Sequence, residues 1–149
     1  MVIGEICTSE VVCCRPQTSA LDAAKLMRQK HVGDVVVVSD PEQERIPLGI
    51  VTDRDLTIEV LGCGREASGV PMSALVRTPV VIAKDSEDVR AVVGRMRSHG
   101  VRRIPVVDDQ GVLVGIVSFD DVLQALLSDM QTLVESEIKA HRREQLVRR

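Results

Sequence analysis

The sequence has no tryptophan, no tyrosine and a single phenylalanine, Phe119, in 149 residues. Val, Ile, Leu, Ala and Met must therefore build its core. Aromatic stacking on nucleobases has almost nothing to work with, and catalysis by Tyr or Trp is excluded. Positive charge is also in deficit. The net charge is −3, which gives the chain as a whole no electrostatic footprint for nucleic acid. No apolar run approaches the roughly 20 residues of a membrane span. The start, Met1 to Glu5, has neither the basic region nor the long apolar stretch of a signal peptide, so a cytoplasmic location is expected. Cysteine is limited to Cys7, Cys13, Cys14 and Cys63, with no C-x-x-C pair. Thiols serving as small hydrophobes are expected, and no metal site. His31, His99 and His141 have no partner at ligand spacing. A phosphate loop of the G-x-x-x-x-G-K-[ST] type and a G-x-S-x-G elbow are both missing. No catalytic residue is nominated and no enzyme is expected.

What is present is ordinary globular composition, 44% hydrophobic and 28% charged, enough to exclude disorder. The length suits about one domain. Within it the chain repeats itself. Gly49-Ile50-Val51-Thr52-Asp53-Arg54-Asp55-Leu56 recurs as Gly115-Ile116-Val117-Ser118-Phe119-Asp120-Asp121-Val122, an offset of 66 residues. Upstream, Ala20, Ala23, Ala24 and Met27 recur as Val89, Val92, Val93 and Met96, at an offset of 69. Val32 to Val38 matches Val101 to Val107 at the same offset. The difference falls in the polar turn Ser39 to Pro47, where a structural repeat tolerates insertion.

Each copy reads β-α-β-β-α. A β-branched run opens it, Val11-Val12 or Val80 to Ile82. A helix follows, with start signals at Thr18 or Ser19 and at Asp85 or Ser86. Two strands come next, Val35 to Val38 with Leu48 to Val51, and Ile104 to Val107 with Val112 to Val117. A second helix begins after Thr52 or Ser118. The expected division is 1–58 for the first repeat, 59–73 for a connecting segment, 74–128 for the second repeat and 129–149 for a charged helix. The repeats should pack together, since either alone is marginal in size.

Thr52 and Asp55, like Ser118 and Asp121, stand three apart at a strand-to-helix junction. Two readings are open. The pairs form N-caps with an acidic third residue, or they present a hydroxyl, free N–H groups and a carboxylate to a ligand. The same motif, together with Val101-Arg102-Arg103-Ile104-Pro105-Val106-Val107 and Thr78-Pro79-Val80, resembles a tandem pair of CBS (cystathionine-β-synthase type) domains, a Bateman module. The resemblance covers roughly residues 1 to 128.

That resemblance implies an α/β fold of two CBS repeats packed as one pseudo-twofold module, here with an extended C-terminal helix. It also implies a regulatory adenosyl ligand, AMP, ADP or ATP, with magnesium as a potential companion. A first site would combine Thr52 and Asp55 with Thr78, Ala83, Val101, Arg102 and Arg103. Asp55 would take the ribose hydroxyls, and Thr52 would face phosphate or ribose. Thr78 and the backbone at Ala83 and Val101 would hold adenine. One of the two arginines would reach phosphate; the alternative is ion pairs, for example to Asp108 or Asp109. A second site would combine Ser118 and Asp121 with Ser9, Cys14, Val32, Gly33 and Asp34. Asp34 and Gly33 stand where the other repeat has Arg103 and Arg102, so that site should disfavour polyphosphate. The alternatives to a nucleotide sensor are a ligand-free structural or dimerisation module, a sensor of S-adenosylmethionine, NAD or a metal, and an accessory chain to an enzyme.

Residues 129–149 contain no Gly or Pro and are rich in helix formers. Leu127, Met130, Val134, Ile138 and His141 mark a weak apolar stripe, either a dimerising face or a fraying tail. Arg142, Arg143, Arg148 and Arg149 suit a helix C-terminus. A homodimer and an unidentified protein target are the expected partners, with no membrane and no nucleic acid.

Overall fold

Two copies of one small layered unit make up the chain. The structure, a computed structural model, describes residues 1–148. The first copy runs β1 (Cys13–Cys14), α1 (Ala20–Lys30), β2 (Asp34–Val38), β3 (Pro47–Thr52) and α2 (Asp53–Asp55), which continues as a π-helical turn over Leu56–Leu61. The second runs β4 (Ala83–Lys84), α3 (Val89–His99), β5 (Arg103–Val107), β6 (Leu113–Ser118) and α4 (Phe119–Val147). In each sheet the middle strand pairs parallel with the short first strand and antiparallel with the third. Even the irregularities repeat: the register shifts between Val37 and Val38 and between Val106 and Val107.

Local details differ from expectation in two places. The opening strands lie at residues 13–14 and 83–84, just past Val11-Val12 and Val80 to Ile82, where the chain pairs with β2 and β5. Ser19 caps α1, accepting from the Asp22 N–H at 3.1 Å, but α3 is capped by Asp88, not Asp85 or Ser86. Asp85 is engaged elsewhere, its carbonyl accepting from Gly4 N–H at 2.8 Å. The connecting segment expected over 59–73 carries structure of its own. It contains 3-10 turns at Ala67–Gly69 and Met72–Ala74, and Met72 is fully buried.

The two cores are completed by exchange. The N-terminal 3-10 turn, Ile3–Glu5, leaves the first repeat and docks on the second. Ile3 N–H donates to the Glu87 carbonyl at 2.9 Å, and Thr8 and Ile116 exchange two backbone bonds of 2.9 Å. Met72–Ala74 mirrors it on the first repeat: Met72 N–H donates to the Thr18 carbonyl at 2.8 Å. Ile3 accordingly belongs to the core built on Val92, Ile104 and Val117, and Met72 to the core built on Ala23, Val35 and Val51. The motif glycines mark these crossings. A Cβ on Gly49 would lie 2.7 Å from the Val76 side chain, and one on Gly115 would lie 2.7 Å from Cys7 Sγ. A third cluster, with Val36, Val38 and Leu113, ties the two sheets together.

α4 is continuous from Phe119 to Val147 and buries only Val122. Arg149 lies outside the described residues. No helix among those residues is long and apolar enough to cross a membrane.

Candidate functional site

Both motif pairs form capping boxes. Thr52 N–H donates to Asp55 Oδ2 at 2.9 Å, and Asp55 N–H donates to Thr52 Oγ1 at 3.1 Å. Ser118 N–H donates to Asp121 Oδ2 at 2.7 Å, and Asp121 N–H to Ser118 Oγ at 3.1 Å. The capping reading is thus realised at both junctions. It leaves Asp55 Oδ1 outside the box, so a cap and a ligand contact are compatible in one carboxylate.

Beside the first box lies a cleft of about 350 Å³, within the range of roughly 300–1,000 Å³ usual for small-molecule sites. One wall is the β3–α2 junction, from Gly49 to Asp55. The other is formed by Arg77 and Pro79 to Val81 ahead of β4, and by Gly100 to Arg103 with Pro105 at β5. The cleft therefore lies between the repeats. Four arginines and two aspartates line it, which makes it locally positive in a chain of net negative charge.

Of the first-site residues, Thr52, Asp55, Val101, Arg102 and Arg103 share this cleft. Thr78 is bracketed by the lining residues Arg77 and Pro79. The Ala83 side chain is fully buried in the second core and does not line the cleft.

The two arginines, one of which was expected to reach phosphate, both have carboxylate neighbours, though not Asp108 or Asp109. Arg103 Nε lies 3.0 Å from Asp34 Oδ2. Arg102 lies 3.8 Å from Asp120 and sits over the Phe119 ring at 5.6 Å. Asp109 pairs with Lys84 at 3.4 Å. Arg54 and Arg77, which the sequence reading passed over, line the cleft with no carboxylate within 4 Å among the described residues. Their signal was adjacency: Arg54 sits inside the Thr52–Asp55 motif, and Arg77 immediately precedes Thr78.

Of the second-site residues, Ser118 and Asp121 form the capping box described above. Ser9 is exposed, and Cys14 is buried in the first core. Burial, with Cys13 beside it, pushes the Cys14 thiol up to about 11, against a smaller opposing hydrogen bond with Thr18. It is an inert core thiol. Val32 packs on the first core. The Gly33 carbonyl accepts from Asp53 N–H at 3.0 Å, just as that of Arg102 accepts from Phe119 N–H at 2.8 Å. Asp34 is committed to Arg103. All four cysteines are free thiols, and no group of three His, Cys, Asp or Glu among the described residues is placed to hold a metal.

A family model described as CBS domain matches residues 3–62 and again residues 72–128. The chain belongs to the CBS domain family. An uncharacterized protein of Methanopyrus kandleri, MK0525, is 35% identical over 122 residues, 82% of this chain and 61% of that protein. The chain thus spans about three fifths of that relative's length. Among solved structures, the CBS domain protein PAE2072 from Pyrobaculum aerophilum, complexed with AMP, superposes with a TM-score of 0.75 at 22% identity, covering 89% of this chain and 99% of that one. The CBS domain pair of protein MJ0100, in complex with 5′-methylthioadenosine and S-adenosyl-L-methionine, gives a TM-score of 0.73 at 22% identity, covering 87% and 98%. At that identity both show the shared fold.

Proposed function

We propose that this chain is a non-catalytic, cytoplasmic sensor that takes an anionic adenosyl ligand, AMP, ADP or ATP, in the cleft between its repeats and signals to a partner protein, with the chain acting as a homodimer. The observation that carries this is the lining of the cleft. Asp55, with one carboxylate oxygen outside its capping box, is suited to the paired hydroxyls of a ribose. Arg54 and Arg77, unpaired by any carboxylate, are suited to phosphate oxygens. Solved proteins of the same fold bind AMP or S-adenosylmethionine, which supports an adenosyl ligand without choosing among them.

The arginines favour an anionic ligand. Each of the four in the cleft has a counterpart at the same place in the other repeat, and none of the counterparts is basic: Arg54 corresponds to Asp120, Arg77 to Thr8, Arg102 to Gly33 and Arg103 to Asp34. We therefore assign the anionic ligand to the first site alone.

The test is a thermal-shift panel with adenosine, AMP, ADP, ATP, S-adenosylmethionine and NAD, with and without magnesium, read by calorimetry because intrinsic fluorescence is absent. A ligand at 100 times its Kd adds about 2.7 kcal/mol, a rise of roughly 5–10 °C for a chain of this size. Stabilisation should grow from adenosine to the phosphorylated ligands. A shift with S-adenosylmethionine and none with any nucleotide would reverse the assignment. No shift at all, on protein free of bound 260 nm absorbance, would favour a ligand-free dimerisation module.

A further inference from the structure

The long helix α4 leaves a row of apolar side chains in water. Leu123, Leu127, Met130, Val134 and Ile138 are 45–62% exposed, and at 100° per residue they fall within an arc of about 80°. With Leu126 and Leu133 alongside, both also exposed, the side chains form one continuous apolar stripe of the kind that marks an interface.

Charge along the helix says what covers it. Residues 119–138 hold five carboxylates and no Lys or Arg; residues 139–148 hold Lys139, Arg142, Arg143 and Arg148 against Glu144 alone. The apolar stripe spans 123–138, so its midpoint lies at Met130. A second helix laid antiparallel about that midpoint sets Leu123 beside Ile138 and Leu127 beside Val134. The same register brings residues 139–143 of each copy beside residues 118–122 of the other. Basic ends then meet acidic beginnings twice, while parallel pairing would stack like charges at both ends. Apolar overlap and charge complementarity select one register.

We propose that α4 pairs antiparallel with α4 of a second copy of this chain, centred near Met130. This gives a specific interface to the homodimer proposed above and rests on that reading.

Cysteine cross-linking in the full chain tests it, with exposed Cys63 replaced (Cys63→Ser). Leu127→Cys and Val134→Cys are prepared separately and then mixed under mild oxidation. The antiparallel register predicts a 127–134 disulfide in the mixture and none from either variant alone. In that register two copies of residue 127 lie seven residues apart along the axis, about 10 Å, beyond the Cα reach of roughly 7 Å for a disulfide. Homodisulfides from each variant alone would show parallel pairing and overturn the proposal. Sedimentation of the otherwise unaltered chain and of Leu127→Glu/Val134→Glu completes it. The expected result is a dimer that becomes a folded monomer by circular dichroism. A dimer that survives the double substitution overturns this interface but keeps the homodimer. A monomer before substitution overturns both.

Discussion

Arg103 Nε lies 3.0 Å from Asp34 Oδ2, and the two residues are counterparts, each the first residue of the middle strand of its repeat. A contact between equivalent positions can form only near the axis relating the repeats, so the pair clasps the two halves together. The Asp34 side chain is 18% exposed and that of Arg103 38%. Burial raises the Asp34 pKa; Arg103 pulls it back, and Asp53 adds to the rise. One ion pair thus joins an arginine of the cleft to a carboxylate expected in the second site.

On the proposed function, phosphate entering the cleft would compete with Asp34 for that arginine. Asp34→Asn should release Arg103 and raise ATP affinity by about fivefold, roughly 1 kcal/mol, while leaving adenosine affinity unchanged. Isothermal titration of both ligands against the variant decides it. An equal change for both would show that Arg103 does not meet phosphate.

Asp55→Ala removes a cap and a ligand contact together. Loss of the capping box should cost about 0.5–1 kcal/mol, and the nucleotide-induced thermal shift should vanish. Asp121→Ala removes the matching cap in the other repeat and should keep the shift. If both variants respond equally to nucleotide, Asp55 is only a cap.

Gly115→Ala drives a Cβ to 2.7 Å from Cys7 Sγ and 3.0 Å from the Thr8 carbonyl. Overpacking of this kind costs about 1–3 kcal/mol. Adding Cys7→Ala should restore part of the loss, and chemical denaturation of the two variants measures it. Strictly additive losses would mean that the added methyl does not press on the Cys7 side chain.

Acid stability should divide between two carboxylates whose pKa values shift in opposite directions. Glu87 accepts two bonds from Arg95, at 3.0 and 2.5 Å, while Arg95 also donates to the Ile82 carbonyl at 2.7 Å. The Arg95 hydrogen bonds, first among the causes, hold Glu87 below its ordinary 4.5. The stability it contributes is present above 4.5 and is lost as pH falls through the lower folded value. Asp34 is raised above 3.8, so its contribution runs the other way, falling as pH rises from 3.8 through the raised value. Glu87→Gln should cost about 1 kcal/mol at pH 7 and flatten the acid limb of the stability profile. An unchanged limb would place acid sensitivity elsewhere.

Much of this was legible in the chain. The glycine-initiated motif, the Ala/Val/Met helix faces and the continuous valine strands are local patterns, and local patterns specify local structure. Ser19, Thr52 and Ser118 cap helices because a hydroxyl in extended backbone meets N–H groups two or three residues on, whatever surrounds it. Short-range chemistry also made α4 readable as one helix. Asp88 was harder to see, because Asp85, Ser86 and Asp88 all suit a cap and only the start of α3 at Val89 puts Asp88 in the capping position.

The site itself divides along the same line. Thr52 and Asp55 were visible as a motif, since their bonds span three residues. Arg54 and Arg77 gained their place in the cleft through the approach of two segments distant in sequence. Arg103 reached Asp34 only because two strand starts, 69 residues apart, meet near an axis. The exchange of Ile3 and Met72 between cores is of the same kind: either could fill a pocket in its own repeat by hydrophobicity alone. Burial is non-directional, so a pattern of apolar residues says that a side chain will be covered but not by which half. The repeat and its elements therefore follow from residue order, while the partners of its charges and the ownership of its cores follow from how the halves pack.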